Sequence, residues 1–264
     1  MVKLGYISLF ILSLTVLVAC EEEETTNDES IENIAEIGES TSYDSYAMEI
    51  DMNDSLTVMN SMFYTNQANE SVEVVLYVNE SGDSTDLLKM EERMVKDASG
   101  VISTNVFYYR NGEKYITLQY YPESENDSLY FVEKRSYYDE KGEVIMTKRR
   151  TAVYEEMLEE SAFVVVNNES LSDERAFDVV NQNGQFETTF QGFIDMDPYL
   201  YLLVGENTKE GYVSALIVQS RGGIIKQLID NETEMLGTPL VVNFGIDQDG
   251  SGKSQILLGV AFEE

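Results

Sequence analysis

The chain has no histidine, no tryptophan, a single cysteine and only three prolines in 264 residues. Without histidine it lacks the side chain that most often works as a general base near neutral pH and the commonest ligand of zinc and copper. A single cysteine excludes an intrachain disulfide, so the fold must rest on apolar cores. Basic residues are scarce: 17 Lys and Arg stand against 49 Asp and Glu, a formal net charge of −32. A surface of that sign repels phosphate backbones and anionic headgroups, which excludes nucleic-acid binding and leaves cations, basic proteins and neutral ligands such as glycans open. Long apolar runs are missing as well. The stretch 4–19 is interrupted by Gly5, Ser8, Ser13 and Thr15 and falls short of the roughly 20 apolar residues that a spanning helix needs.

That run begins after Lys3 and ends in Leu17-Val18-Ala19-Cys20. The four residues resemble the lipobox of bacterial lipoproteins. The resemblance implies that residues 1–19 are a lipoprotein signal peptide, that cleavage precedes Cys20, and that Cys20 is acylated, palmitate being a typical chain. Residues 20–264 would then be tethered to a membrane through Cys20. Each buried methylene contributes about 0.8 kcal/mol, so several acyl chains hold firmly. Glu21, Glu22, Glu23 and Glu24 follow at once, and they look like the surface-export signal of some Gram-negative lipoproteins. The expected location is the outer membrane of a bacterial envelope, with the periplasmic and the surface-exposed sides both open. Residues 21–42 hold nine acidic residues and no basic one, so 20–42 reads as an acidic flexible tether that cannot bury enough apolar surface to fold.

Downstream, apolar and aromatic runs at 72–78, 87–95, 101–109, 115–121, 129–138 and 144–148 alternate with turn signals, Asn111-Gly112 foremost. This pattern predicts an antiparallel meander of about six strands in a domain spanning 43–166. At its start, 43–66 carries Met48, Met52, Met59 and Met62 at spacings that fit a helix or a strand, with the methionines read as flexible core filling. Residues 151–183 read as a junction with short helices at 153–160 and at 173–180, the second capped by Ser172.

A second domain, 167–264, has a more specific order. Strands are expected at 186–196, 199–205 and 212–218. Ile224, Ile225, Leu228, Ile229, Met235 and Leu236 then share one helical face, stopped by Gly237 and Pro239. Strands at 240–246 and 255–262 follow. Three strands, a helix and two strands resemble the OB-fold in element order, which implies a partly open five-stranded barrel whose second and third strands carry the ligand face. The expected fold class is therefore mainly β (α+β), a β-meander domain followed by a small OB-like barrel with one helix. Arg175, Lys209, Arg221, Lys226 and Lys253 are too few among the acidic residues of this region to build a basic groove.

Several motifs have a functional and a plainer explanation. Asp247, Asp249 and Ser251 with Gly252 imitate the first half of an EF-hand loop and are the candidate calcium ligands, but Leu258 stands where the bidentate Glu belongs, and a turn between two strands explains the same residues. Gly252-Lys253-Ser254 imitates the end of a P-loop, yet Asp247 replaces its first glycine. The pairs Tyr108-Tyr109, Tyr120-Tyr121 and Tyr137-Tyr138 put one ring on each side of a sheet. Both sides are expected to be covered, by the Met-rich segment and by the second domain; an exposed aromatic stripe for sugars or a partner is the alternative. Lys148-Arg149-Arg150 is expected to pair with local carboxylates at a solvated strand end. Asp54-Ser55-Leu56, Asp83-Ser84-Thr85 and Asp127-Ser128-Leu129 resemble short O-glycosylation sites of some Gram-negative envelopes, a match that chance also gives. No catalytic constellation is legible. The expectation is a binding or structural role without catalysis and without cofactor, calcium aside, toward an envelope protein or a neutral or cationic ligand. The alternative is a carboxylate-dependent hydrolase acting on glycans.

Overall fold

The computed structural model describes residues 41–264 apart from 83, 97–99, 126–127, 209, 250–251 and 264. Cys20 and nearly all of the expected tether lie outside the described residues. The described part belongs to one compact unit, Ser40–Glu264, and no helix in it is long and apolar enough to cross a membrane.

The protein is mainly β, with one large and mostly antiparallel sheet. The six expected runs form β3 (Ser71–Ser81), β4 (Ser84–Lys96), β5 (Val101–Arg110), β6 (Glu113–Glu125), β7 (Ser128–Tyr138) and β8 (Val144–Ala152). Each pairs antiparallel with the next, and β9 (Val164–Val166) adds an edge strand beside β8. Hairpin geometry follows from the turns. Asn111 and Gly112 both have positive φ, 55° and 82°, the backbone twist that suits a two-residue connection between right-twisted strands. At the β7–β8 turn the Asp139 carboxylate accepts the N–H groups of Glu143 and Lys141 at 2.9 and 2.8 Å, and these two bonds hold it below the usual carboxylate range.

The segment whose class was open is both helix and strand: α1 (Thr41–Asp51), then β1 (Thr57–Asn60) and β2 (Tyr64–Asn66). Of its four methionines only Met62 enters the core, at 1% exposure, while Met48, Met52 and Met59 are exposed. The expectation of core filling fails for the other three: α1 docks through tyrosine rings, Tyr43 stacked on Tyr115 at 4.3 Å, and through polar contacts, and Met59 lies on β1. Only Ala47 and Ile50 of α1 are buried apolar residues. Asp44 accepts from Arg135 at 3.0 Å, Asp51 pairs with Lys89 at 2.8 Å, and Tyr46 donates to the Tyr109 carbonyl at 2.5 Å.

At Tyr108-Tyr109 and Tyr137-Tyr138 the adjacent rings are split between the faces as expected and both faces are covered, while Tyr120 and Tyr121 are half-buried. Tyr108 meets Asp51 of α1 at 2.8 Å, and Tyr109 on the other side donates to Asp173 at 2.8 Å. Tyr137 and Tyr138 are wholly buried.

The C-terminal elements are α2 (Glu174–Asn181), β10 (Phe190–Met196), β11 (Tyr199–Gly205), β12 (Tyr212–Val218), α3 (Gly223–Asp230), α4 (Glu232–Met235), β13 (Leu240–Asp249) and β14 (Gly252–Phe262). The expected helix at 153–160 is a single 3-10 turn, Glu155–Met157, and the start of the strand expected from 186 is another, Gly184–Phe186. β10, β11 and β12 pair antiparallel, β12 and β14 parallel, and β14 and β13 antiparallel. A bridge between Thr189 and Pro239 and the bond from Leu240 N–H to the Thr188 carbonyl at 2.9 Å bring the start of β13 back to β10. Gly205 makes the turn out of β11 possible, since a Cβ there would stand 2.1 Å from the Tyr212 carbonyl oxygen.

The boundary expected at residues 166 and 167 does not divide the core. Tyr64, Val74, Met90 and Phe107 from one side pack in one cluster with Val179, Phe186, Leu202, Leu216 and Leu228 from the other. Pairing of β2 with β12 and the bond from Tyr64 Oη to the Phe186 carbonyl at 3.0 Å carry the sheet across. Residues 43–166 and 167–264 are thus two lobes of one unit.

Two carboxylates are buried in it. Glu92 accepts a bidentate pair from Arg175 at 2.6 and 2.8 Å and a bond from Asn105 at 2.7 Å. Glu133, with 0% exposure, accepts from the Nε atoms of Arg135 and Arg150, each at 2.5 Å. The cluster at 148–150 is paired as expected, Lys148 with Asp44, Arg149 with Glu123 and Arg150 with Glu133. It is not, however, a solvated strand end: Arg150 lies over the Phe163 ring, as do Arg135 and Lys148. Replacing Glu133 by Ala should cost about 3–5 kcal/mol in a denaturant titration, since two guanidinium groups lose a buried counter-charge.

Burial raises the phenols of Tyr64, Tyr108 and Tyr109 above their ordinary range, with Asp51 and Asp173 adding to it for the last two, and burial beside Glu133 pushes Tyr120 up to about 12. A raised folded value favours the neutral phenol in the native state. That stability is complete below the ordinary value of 10.0 and is lost as pH rises through the folded values. Phenolate absorbance should therefore lag in the native protein, and the denaturation midpoint should fall steadily from pH 10 to about 12.

Candidate functional site

One edge of β12 serves two strands. Its first residues pair with β2, Tyr212 opposite Asn66 and Val213 opposite Thr65. Its last residues pair with β14, Ile217 opposite Ile256 and Val218 opposite Leu257. Two strands that share one edge must diverge, and the gap between them is a cleft of ≈ 650 Å³.

The floor follows from strand alternation. On β12, Ser214, Leu216 and Val218 point into the core, so Val213, Ala215 and Ile217 point out into the cleft. Tyr201 of β11 stands opposite Ile217 and joins them. One wall is the β1–β2 segment with Asn60, Phe63 and Thr65; the other is the β13–β14 hairpin with Ile246, Lys253, Ser254 and Gln255.

Gln255 holds the fork together. Its Oε1 accepts from the Phe63 N–H at 2.7 Å, and its Nε2 lies 3.2 Å from the Phe63 carbonyl, 3.0 Å from Ser214 Oγ and 3.2 Å from the Ala215 carbonyl. The side-chain amide thereby takes the backbone groups that a missing strand would take. Phe63 is pinned by its backbone, and the residue is 44% exposed at the cleft.

Glu73 is the carboxylate among the described lining residues, and it pairs with Lys253 at 3.3 Å and Arg93 at 3.4 Å. The other basic residues weighed for this region are also paired: Arg175 with Glu92, Arg221 with Asp195 and Lys226 with Asp230. Lys209 lies outside the described residues.

The candidate residues from the sequence are distributed as follows. Asp247 is exposed on β13, opposite Ser254. Asp249 lies opposite Gly252 at the end of the strand, its side chain not described, and Ser251 lies outside the described residues. Among the described residues no three His, Cys, Asp or Glu side chains are grouped for a metal. The stretch that imitates a P-loop supplies Lys253 and Ser254 to the cleft wall. Of the three Asp-Ser matches, Asp83 and Asp127 lie outside the described residues.

Compared with protein-family models, curated proteins and solved structures, the chain has no match.

Gln255 and Phe63 are 192 residues apart, and no local pattern could pair them. Replacing Gln255 by Ala should speed amide exchange at Phe63 and lower stability by about 1 kcal/mol. Hydrogen exchange read by mass spectrometry, with a denaturant titration alongside, checks both.

Proposed function

We propose that this chain is a lipoprotein of a bacterial envelope, attached to the outer membrane through an acyl group on Cys20, whose folded body binds a ligand or partner without transforming it. The chemistry of the cleft carries the binding part of this reading. It offers an apolar floor with polar rims, the usual make-up of a small-molecule site. A two-carboxylate glycan hydrolase needs a pair of acids about 5 to 9.5 Å apart with one of them kept protonated. Among the described lining residues Glu73 is the one carboxylate, and it is shared between Lys253 and Arg93.

On this reading residues 167–264 contain an OB-like five-stranded barrel, β10 to β14, with α3 and α4 between its third and fourth strands. Support comes from the antiparallel run β10–β11–β12, the parallel β12–β14 pair, the return of β13 to β10, and the position of α3 between β12 and β13. The cleft then lies on the second and third strands of the barrel, the face that such barrels use for ligands. The net charge of −32 and the pairing of the basic side chains support a neutral or cationic ligand, or an envelope protein, over nucleic acid.

The anchor is tested in a Gram-negative host supplied with an alkyne analogue of palmitate. The full chain should take up the label and partition into detergent, and Cys20→Ala should do neither and accumulate as the longer precursor. A wild-type chain without label would overturn the proposal.

A further inference from the structure

We infer that the cleft at the β12 fork takes an uncharged oligosaccharide, laid against Tyr201 with its hydroxyl groups toward Asn60, Thr65 and Ser254. This deepens the binding role proposed above and rests on it.

Charge decides the first step. Glu73 and Lys253 are the charged residues among the described lining and pair at 3.3 Å, while Arg93 reaches Glu73 at 3.4 Å from outside the lining, so the lining itself carries no net charge. A charged ligand would have to displace one of these partners. An anion would in addition meet the field of a chain carrying −32.

Polar groups decide the second. Among the described residues, the side chains of Asn60, Thr65 and Ser254 make no hydrogen bond, although all three line the cleft, on both of its walls. A purely apolar ligand would cover these groups and leave them without partners, which is unfavourable. A polyhydroxylated ligand would supply partners to both walls. An extended peptide would need a free strand edge at the floor. There the Gln255 amide already occupies the N–H and C=O of Phe63 and the carbonyl of Ala215.

The rings complete the argument. Tyr201 is half-buried, braced by Tyr199 with centroids 6.3 Å apart in an edge contact, and stands beside Ile217. Phe63 lines the β1–β2 wall on a fixed backbone. The C–H faces of a sugar ring pack on such aromatic surfaces while its hydroxyls project sideways to amides and hydroxyls. The ≈ 650 Å³ of the cleft falls within the roughly 300–1,000 Å³ of small-molecule sites.

Because the chain contains no tryptophan, Tyr201→Trp places a lone indole in the cleft and keeps a stacking ring there. The full chain carrying it, in phosphatidylcholine vesicles, is titrated with hexamers of neutral glucose, mannose and N-acetylglucosamine polymers, with oligogalacturonate, palmitate and an extended hexapeptide as competitors of other chemistry. At least one neutral hexamer should shift the emission saturably, and calorimetry on the wild-type chain should show its affinity fall at least tenfold in Tyr201→Ala and severalfold in Asn60→Ala. Tyr201 and Asn60 are not core residues, so both variants should keep the wild-type thermal transition. If no neutral hexamer binds, or if binding is indifferent to Tyr201→Ala, the inference is overturned. Binding of palmitate or the peptide alone overturns it too but leaves the binding role standing. Shortening of a bound hexamer, read by mass spectrometry, would uphold the sugar and overturn the non-catalytic role.

Discussion

The architecture depends on the shared edge of β12. A strand edge has one row of N–H and C=O groups to satisfy, and here the row is divided between an antiparallel partner from the N-terminal lobe and a parallel partner from the C-terminal one. The two partners cannot both run straight along it, so they splay, and the groups left over at the branch are taken by the amide of Gln255. This one compromise makes a single sheet of two lobes and opens the cleft between them.

The rest of the molecule shows how a chain of such negative charge uses its few cations. Arg175, Arg135 and Arg150 are committed to two buried carboxylates, and Lys89, Arg135 and Lys148 tie down α1 through Asp51 and Asp44. Arginine suits the buried positions because its planar fork matches a carboxylate and is weakly hydrated. Buried pairs of this kind give little net stability over apolar packing but strongly penalise any arrangement that separates them. The pair of Arg175 with Glu92 ties α2 to β4 beside the apolar contacts of Ala176 and Val179.

Legibility in the sequence followed the range of the interactions. The six meander strands and β11 and β12 are set by alternation and by local turn chemistry such as Asn111-Gly112, and these emerge where the residues place them. The ends of β13 and β14 run beyond expectation, through Asp247 to Asp249 and back from Gly252, because hairpin pairing overrides the turn-forming character of Asp and Gly. Met48, Met52 and Met59 have core-like spacing but stay exposed, Met48 on α1, Met52 just after it and Met59 on β1, because the contacts that place these elements are made with residues far away in sequence. Nothing in the composition distinguished Gln255 or Phe63 from any other Gln or Phe. Lys253 and Ser254 reach the cleft wall through the β13–β14 hairpin, which their local imitation of a P-loop does not foreshadow.

The amino-acid sequence by itself determined the classes of chemistry denied to this protein, the succession of its strands and the faces of the paired tyrosines, because these depend on residue type and on spacings of a few positions. Only the tertiary structure decided that the two lobes share a core, that Glu92 and Glu133 are buried with their arginines, and that a cleft opens beside Tyr201. Each of those requires groups tens to nearly two hundred residues apart to meet, and the energy of such a meeting belongs to the assembled sheet and to no local stretch of chain.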